Sequence, residues 1–201
     1  MQNLNIIPVS ATVGDIDDGY ASIGCPPYII AEGQMVAYYG AFSTGATTYS
    51  IALATCPVRT YPSLDVDSKS VGTYQKSPMN QFQKKGIVIA KGGVPDLLGC
   101  ILPTAVYNTK EKKFMVYYIG VSVGPVYKIC LATGTNCDNL VKYSGNPIIT
   151  APAGSNLYNV ASPMVVFDKE ENLYKIYYNA ITTVGSLVSS YVATSKGGYD
   201  F

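Results

Sequence analysis

The chain has 201 residues, enough for one or two domains with a full core. Only 13% of it is charged and the net charge is +1, which excludes the basic footprint of a nucleic-acid binder. It holds no histidine, which excludes Ser-His-Asp and Cys-His catalysis and His-ligated zinc, and no apolar run reaches the roughly 18 residues of a membrane-spanning helix. Gly, Pro, Ser, Thr and Tyr take the place of the missing charges, the profile of a strand-rich, turn-rich protein. With 18 Tyr and no Trp, any sugar-stacking platform must be built from Tyr or Phe.

At the N-terminus, Met1-Gln2-Asn3-Leu4 shows no basic region leading into an apolar core, so no signal peptide is read in this chain. A leader can be removed beforehand, so secretion and the compartment stay open. Asn5-Ile6-Ile7-Pro8-Val9 follows, then an acidic stretch, Asp15-Ile16-Asp17-Asp18-Gly19. That stretch resembles the start of a calcium loop but lacks the later Glu, and no metal or cofactor is expected.

From there the chain writes one sentence three times. Tyr pairs stand at Tyr38-Tyr39, Tyr117-Tyr118 and Tyr177-Tyr178, and an Ala-Thr pair follows each after 15 or 16 residues, at Ala54-Thr55, Ala132-Thr133 and Ala193-Thr194. Pro27, Pro103 and Pro163 precede them and open short apolar runs, 27–30, 103–107 and 163–167. A Pro at a strand's first position costs no ladder hydrogen bond. Polar tips follow at Glu32-Gly33-Gln34, 108–113 and 168–172, then Tyr-, Val- and Ile-rich strands at 35–40, 114–120 and 173–179. Third strands are expected at 48–55, 127–133 and 187–194, where apolar and small or polar residues alternate. The linkers match too, with Lys85-Gly86-Ile87-Val88-Ile89 answering Gly145-Asn146-Pro147-Ile148-Ile149. The extra length between Pro57 and Phe82 reads as a surface insertion.

The fold class is therefore all-β and β-propeller-like, with about three antiparallel blades of three to four strands in one domain spanning 1–201. The blades run roughly 20–82, 95–146 and 155–201, and residues 1–10 are placed to complete the last one. Of each Tyr pair, one ring is expected between blades and the other at a rim. The five cysteines show no CxxC spacing, so a structural zinc site is not expected. Buried reduced thiols are one reading of them; the other is a pair of equivalent disulfides, Cys25–Cys56 and Cys100–Cys137, with Cys130 free.

The run Pro163-Met164-Val165-Val166-Phe167, turn, Tyr174-Lys175-Ile176-Tyr177-Tyr178, loop, Ser190-Tyr191-Val192-Ala193-Thr194-Ser195 resembles one blade of the five-bladed propeller glycosidases. That group includes arabinanases, β-xylosidases, invertases, levansucrases and mannoside phosphorylases, and Gly145-Asn146-Pro147-Ile148-Ile149 resembles its Gly-Asn-Pro-Val-Leu linker. The resemblance implies axial carboxylates at or near the residue before each blade-opening Pro, a raised-pKa acid beside an ionised partner. Here those positions hold Pro26, Leu102 and Ser162. No catalytic residue is therefore assigned.

Asp17, Asp18, Asp96 and Asn159, with Tyr28 and Tyr107 for stacking, are the candidates for binding a carbohydrate at the mouth. The competing reading has the acids and amides bonding to turn backbone. The functional expectation is a carbohydrate-binding or pseudo-enzyme propeller. Its rivals are an active glycoside hydrolase with relocated Asp residues and a structural or attachment protein with no sugar ligand. Three blades cannot easily close a ring and an open sheet edge is a hazard, so a homodimer is expected. Neither nucleic acid nor membrane is expected as a partner.

Overall fold

The computed structural model describes residues 20–23, 28–43, 48–57, 82–124, 126–151, 157–182 and 188–201. These form three antiparallel sheets. The first takes β1 (Tyr20–Ile23), β2 (Ile29–Ala31), β3 (Gln34–Phe42), β4 (Ser50–Pro57) and β5 (Gln83–Ile89). The second takes β6 (Gly99–Asn108), β7 (Lys113–Ser122), β8 (Val126–Asn136) and β9 (Asn139–Lys142). The third takes β10 (Leu157–Asp168), β11 (Leu173–Thr182) and β12 (Val188–Ser195). The chain is all-β, a partial β-propeller.

Register is shared by all three sheets. The residue before each Tyr pair lies opposite the Ala of the Ala-Thr pair: Ala37 faces Ala54, Val116 faces Ala132 and Ile176 faces Ala193. The turns into the middle strands have equally local causes. Glu32 and Gly33, with φ of 51° and 74°, make the two-residue turn between paired Ala31 and Gln34, a conformation that matches strand twist. In the longer turns Asn108 Oδ1 accepts the N–H of Lys110 and Glu111, and Asp168 Oδ1 accepts those of Glu170 and Glu171.

Two side-chain layers hold the sheets face to face. Val36, Tyr38, Ile51 and Leu53 of the first sheet meet Phe114, Val116, Tyr118 and Ala132 of the second. On its other face the second sheet sends Met115, Tyr117, Ile119, Ile129 and Leu131 against Val165, Tyr174 and Ile176 of the third. Strand β7 is thus buried on both sides, which is why Phe114–Ile119 reads as an unbroken apolar run rather than an alternating one. After β12 the chain returns to the second sheet, where Tyr117 donates to the Gly198 carbonyl at 2.9 Å and its ring meets Phe201 edge-on.

Several expectations change here. Pro103 and Pro163 do not open strands; each lies inside a longer first strand, at a register shift between Ile101 and Thr104 and between Ala161 and Met164. One extra residue enters there, so the ladder needs no N–H from the Pro. In the first sheet β1 and β2 pair with separate halves of β3, to the same effect, while Pro26 and Pro27 lie outside the described residues. The linkers turn out to be outer strands. β5 pairs with β4, carrying the first sheet past residue 82 to Ile89. Beyond β9, the Asn146 side chain bonds both the N–H and the C=O of Leu131 at 2.8 Å, and Ile148 and Ile149 go on to Ile129.

The Tyr pairs are also more deeply placed than expected. Tyr38, Tyr39, Tyr117 and Tyr118 are all buried, the two rings of each pair on opposite faces; only Tyr177 reaches solvent substantially. Cys100, Cys130 and Cys137 are free thiols, which removes the Cys100–Cys137 disulfide; Cys25, and with it the Cys25–Cys56 pairing, lies outside the described residues. Burial is the reason, since Cys100 and Cys130 sit inside the sheet packing as small apolar groups.

Candidate functional site

The innermost strands of the second and third sheets carry the same irregularity. Leu102 has φ of 50° and Ser162 has φ of 52°, each just before its Pro and each in a bulge. Left-handed backbone at a non-Gly residue costs energy, most for a bulky one, and such bulges re-aim a side chain. What they re-aim here is an aliphatic chain packed against the layer between the second and third sheets, and an exposed hydroxyl.

Between the first and second sheets Tyr28, Ile29, Val36, Tyr38, Pro103, Thr104 and Ala105 line a depression of about 180 Å³, including space open to solvent. It encloses essentially no space of its own, so it can seat a group against its surface but not engulf a sugar ring. Tyr28 is 40% exposed at its rim. Tyr107 lies further along β6, its ring against Phe114 and its hydroxyl donating to Glu32 Oε1 at 3.0 Å. Burial and then the Glu32 carboxylate raise that phenol above its ordinary range.

Two of the expected mouth residues turn inward. Asp96 is 0% exposed. One oxygen accepts the Gly92 N–H at 3.1 Å; the other takes the Tyr118 hydroxyl at 2.9 Å and the Lys142 ammonium at 2.7 Å. The carboxylate therefore latches the 92–98 linker onto β7 and β9 and presents nothing to solvent. Around it, burial pushes the Cys130 thiol up to about 12 and drives Cys100 and Tyr118 higher still. These thiols stay protonated and poorly nucleophilic. Asn159 is likewise buried and accepts the Tyr127 N–H at 2.7 Å, tying β10 to β8. Asp96 thus keeps one bond to turn backbone beside its ion pair, while Asn159 bonds the backbone of a strand rather than of a turn. Asp17 and Asp18 lie outside the described residues. Of the six candidates, then, Tyr28 and Tyr107 border the cleft between the first two sheets and Asp96 and Asn159 do not. Apart from the Pro, no residue announced the left-handed bulges, and none pointed to Lys142, 46 residues from its partner Asp96.

No group of three or more His, Cys, Asp or Glu is arranged to hold a metal ion among the described residues, and none of their helices is long and apolar enough to cross a membrane.

Solved structures of similar shape include propellers of several glycoside-processing proteins. A sucrose-6-phosphate hydrolase from Lactobacillus gasseri matches with a TM-score of 0.64 and 11% identity, over 89% of this chain and 32% of its own. A family 117 glycoside hydrolase from the marine bacterium Zobellia galactanivorans matches at 0.62 and 14%, over 89% and 52%. A fructan 1-exohydrolase from Cichorium intybus matches at 0.61 and 12%, over 89% and 30%. The likeness is one of fold. At such identity it shows the propeller fold alone, and the chain spans a third to a half of those structures. No protein-family model and no curated relative matches it in sequence.

Proposed function

We propose that the chain is a carbohydrate-binding propeller segment that does not hydrolyse its ligand. The observation that carries this reading is the pair of left-handed bulges before Pro103 and Pro163, which hold Leu102 and Ser162 where the resembling glycosidases would place carboxylates. Glycoside hydrolysis needs two carboxyl groups roughly 5–9.5 Å apart in one pocket. Asp96, the one relocated acid among the described residues, is sealed in its ion pair and cannot serve. The three sheets are read as blade repeats, and Tyr28 at the rim of the 180 Å³ depression, with Tyr107 beyond it, supplies the stacking surface.

The reading is tested by incubating the protein with a fructan, a xylan and sucrose. Retention on immobilised polysaccharide without release of reducing sugar is the expected result. Turnover abolished by replacing Asp17 or Asp18 with Asn would replace it with the active-hydrolase reading. Homodimerisation, expected from the blade count, is tested by the mass in solution from light scattering, a monomer mass overturning it.

A further inference from the structure

The hairpin tip between β2 and β3 holds a residue that its turn does not favour. A two-residue hairpin turn asks for left-handed backbone and takes Asn, Asp or Gly there most cheaply. At this tip the first position is Glu32, with φ of 51°. A residue held in a conformation that costs stability, with no gain to its own turn, is a candidate for use elsewhere.

Its side chain reaches across to the second sheet. Glu32 Oε1 accepts the Tyr107 hydroxyl at 3.0 Å, in an exposed position. Pro103, Ala105 and Tyr107 alternate along β6 on the side that faces the first sheet, and Pro103 and Ala105 line the Tyr28 depression. Tyr107 is the next step of that line, about 7 Å beyond Ala105. The depression, the Tyr107 ring and the Glu32 carboxylate thus follow one another along the cleft between the sheets. A carboxylate offers about four acceptor sites, and the Tyr107 bond uses one. The charged side chains acting on the neighbouring Cys137 thiol are Asp138, Glu32 and Lys85, two carboxylates against one ammonium.

We propose that Glu32 is a specificity-determining residue of this cleft, where it fixes the Tyr107 ring, accepts hydroxyl hydrogens of an uncharged saccharide and turns acidic saccharides away. The inference rests on the carbohydrate reading above and adds to it the ligand class and the hydrogen-bond acceptor. Phenol rings alone pack on the C–H face of any sugar. A carboxylate beside them asks for donors, which sugar hydroxyls supply, and repels the carboxylate of a uronate.

The test is affinity electrophoresis of the whole chain through gels holding a fructan or an unbranched xylan, both neutral, or polygalacturonate, which is acidic. Wild type is compared with Glu32→Gly, Glu32→Gln, Tyr107→Phe and Tyr28→Ala. Glycine suits a φ of 51°, so Glu32→Gly removes the side chain without stressing the turn, and its Tm should not fall. Retention of wild type by a neutral polymer alone is expected, about tenfold weaker for Glu32→Gly, with smaller losses for Glu32→Gln and Tyr107→Phe. Undiminished retention of Glu32→Gly, with Tyr28→Ala weakened, would overturn this role of Glu32 and leave the carbohydrate reading intact. Equal losses for Glu32→Gly and Tyr107→Phe would reduce Glu32 to a tie on Tyr107 and overturn its contact with the sugar. Retention by polygalacturonate as strong as by either neutral polymer would overturn the exclusion of acidic saccharides. No retention of wild type in any gel would overturn this inference and the carbohydrate reading together.

Discussion

The second and third sheets follow the same register and end in different boundaries. Strand β7 places Met115, Tyr117 and Ile119 in a closed layer; at the equivalent points of β11 Tyr177 is exposed and Lys175 and Asn179 are part-buried. Each sheet is also the anchor of a close Lys–Asp pair, Lys142–Asp96 at 2.7 Å for the second and Lys175–Asp168 at 2.8 Å for the third. Asp96 is sealed, whereas Asp168 meets solvent. Hydrogen-bond register thus sets which side chains share a face, while burial sets what those side chains are worth.

Mutation can break that contrast, beginning with the ion pairs. Asp96→Ala removes one half of a desolvated pair and is expected to cost about 3–5 kcal/mol in urea unfolding, whereas Asp168→Asn, which keeps the turn-forming oxygen and removes only the charge, leaves the unfolding midpoint nearly unchanged. Equal effects would mean that the two pairs have the same surroundings. Leu131→Ala, in the closed layer, should cost about 2–5 kcal/mol, and Val192→Ala at the matching open position should stay within about 0.5 kcal/mol. Gly120→Ala probes how tightly the Asp96 latch is seated, because the new Cβ would meet the Pro95 carbonyl at 2.6 Å and Cys130 Sγ at 2.9 Å. A loss of about 1–3 kcal/mol is expected, and an unperturbed Tm would show the latch to be loose.

Smaller pH effects sharpen the same comparison. Burial raises Cys130 from 9.0 to about 12, and it raises Cys100, Tyr38 and Tyr118 as well. A group raised in the folded state gives stability that is complete below its unfolded value and lost as pH climbs to the folded one. Urea midpoints should hold up to about pH 9 and then fall toward about pH 12. Asp168 moves the other way, lowered first by its bond from Lys175. Its contribution is present above the ordinary carboxylate range and fades as pH falls through the depressed value. An NMR titration of the Asp168 carboxyl that centred at or above the ordinary value would contradict that direction.

Much of this architecture was legible because its causes are local. The Tyr and Ala-Thr pairs fix strand partners, and Asn108 and Asp168 announce their turns. The bulges were not legible, because a Pro inside a strand and a Pro before one look alike until the pairing shows an extra residue at Leu102 or Ser162. Gly86 and Asn146-Pro147 hid the outer strands in the same way, since punctuation residues read as linker. Asp96 misled for a different reason. An acid among Gly and Pro suggests a solvated loop, and only tertiary packing brings Lys142 and Tyr118 to it. Tyr177 shares its motif with Tyr38 and Tyr117, so the difference in exposure came from its neighbours in space.

The side-chain rung made by Asn146 has an effect on how molecules meet at high concentration. By occupying both backbone groups of Leu131, it leaves a passing strand nothing to pair with at that point of the second sheet. Among the described residues no strand covers the outer side of β12. Ordered aggregates should therefore fail to template at that point of the second sheet, as open edges invite growth and plugged ones refuse it.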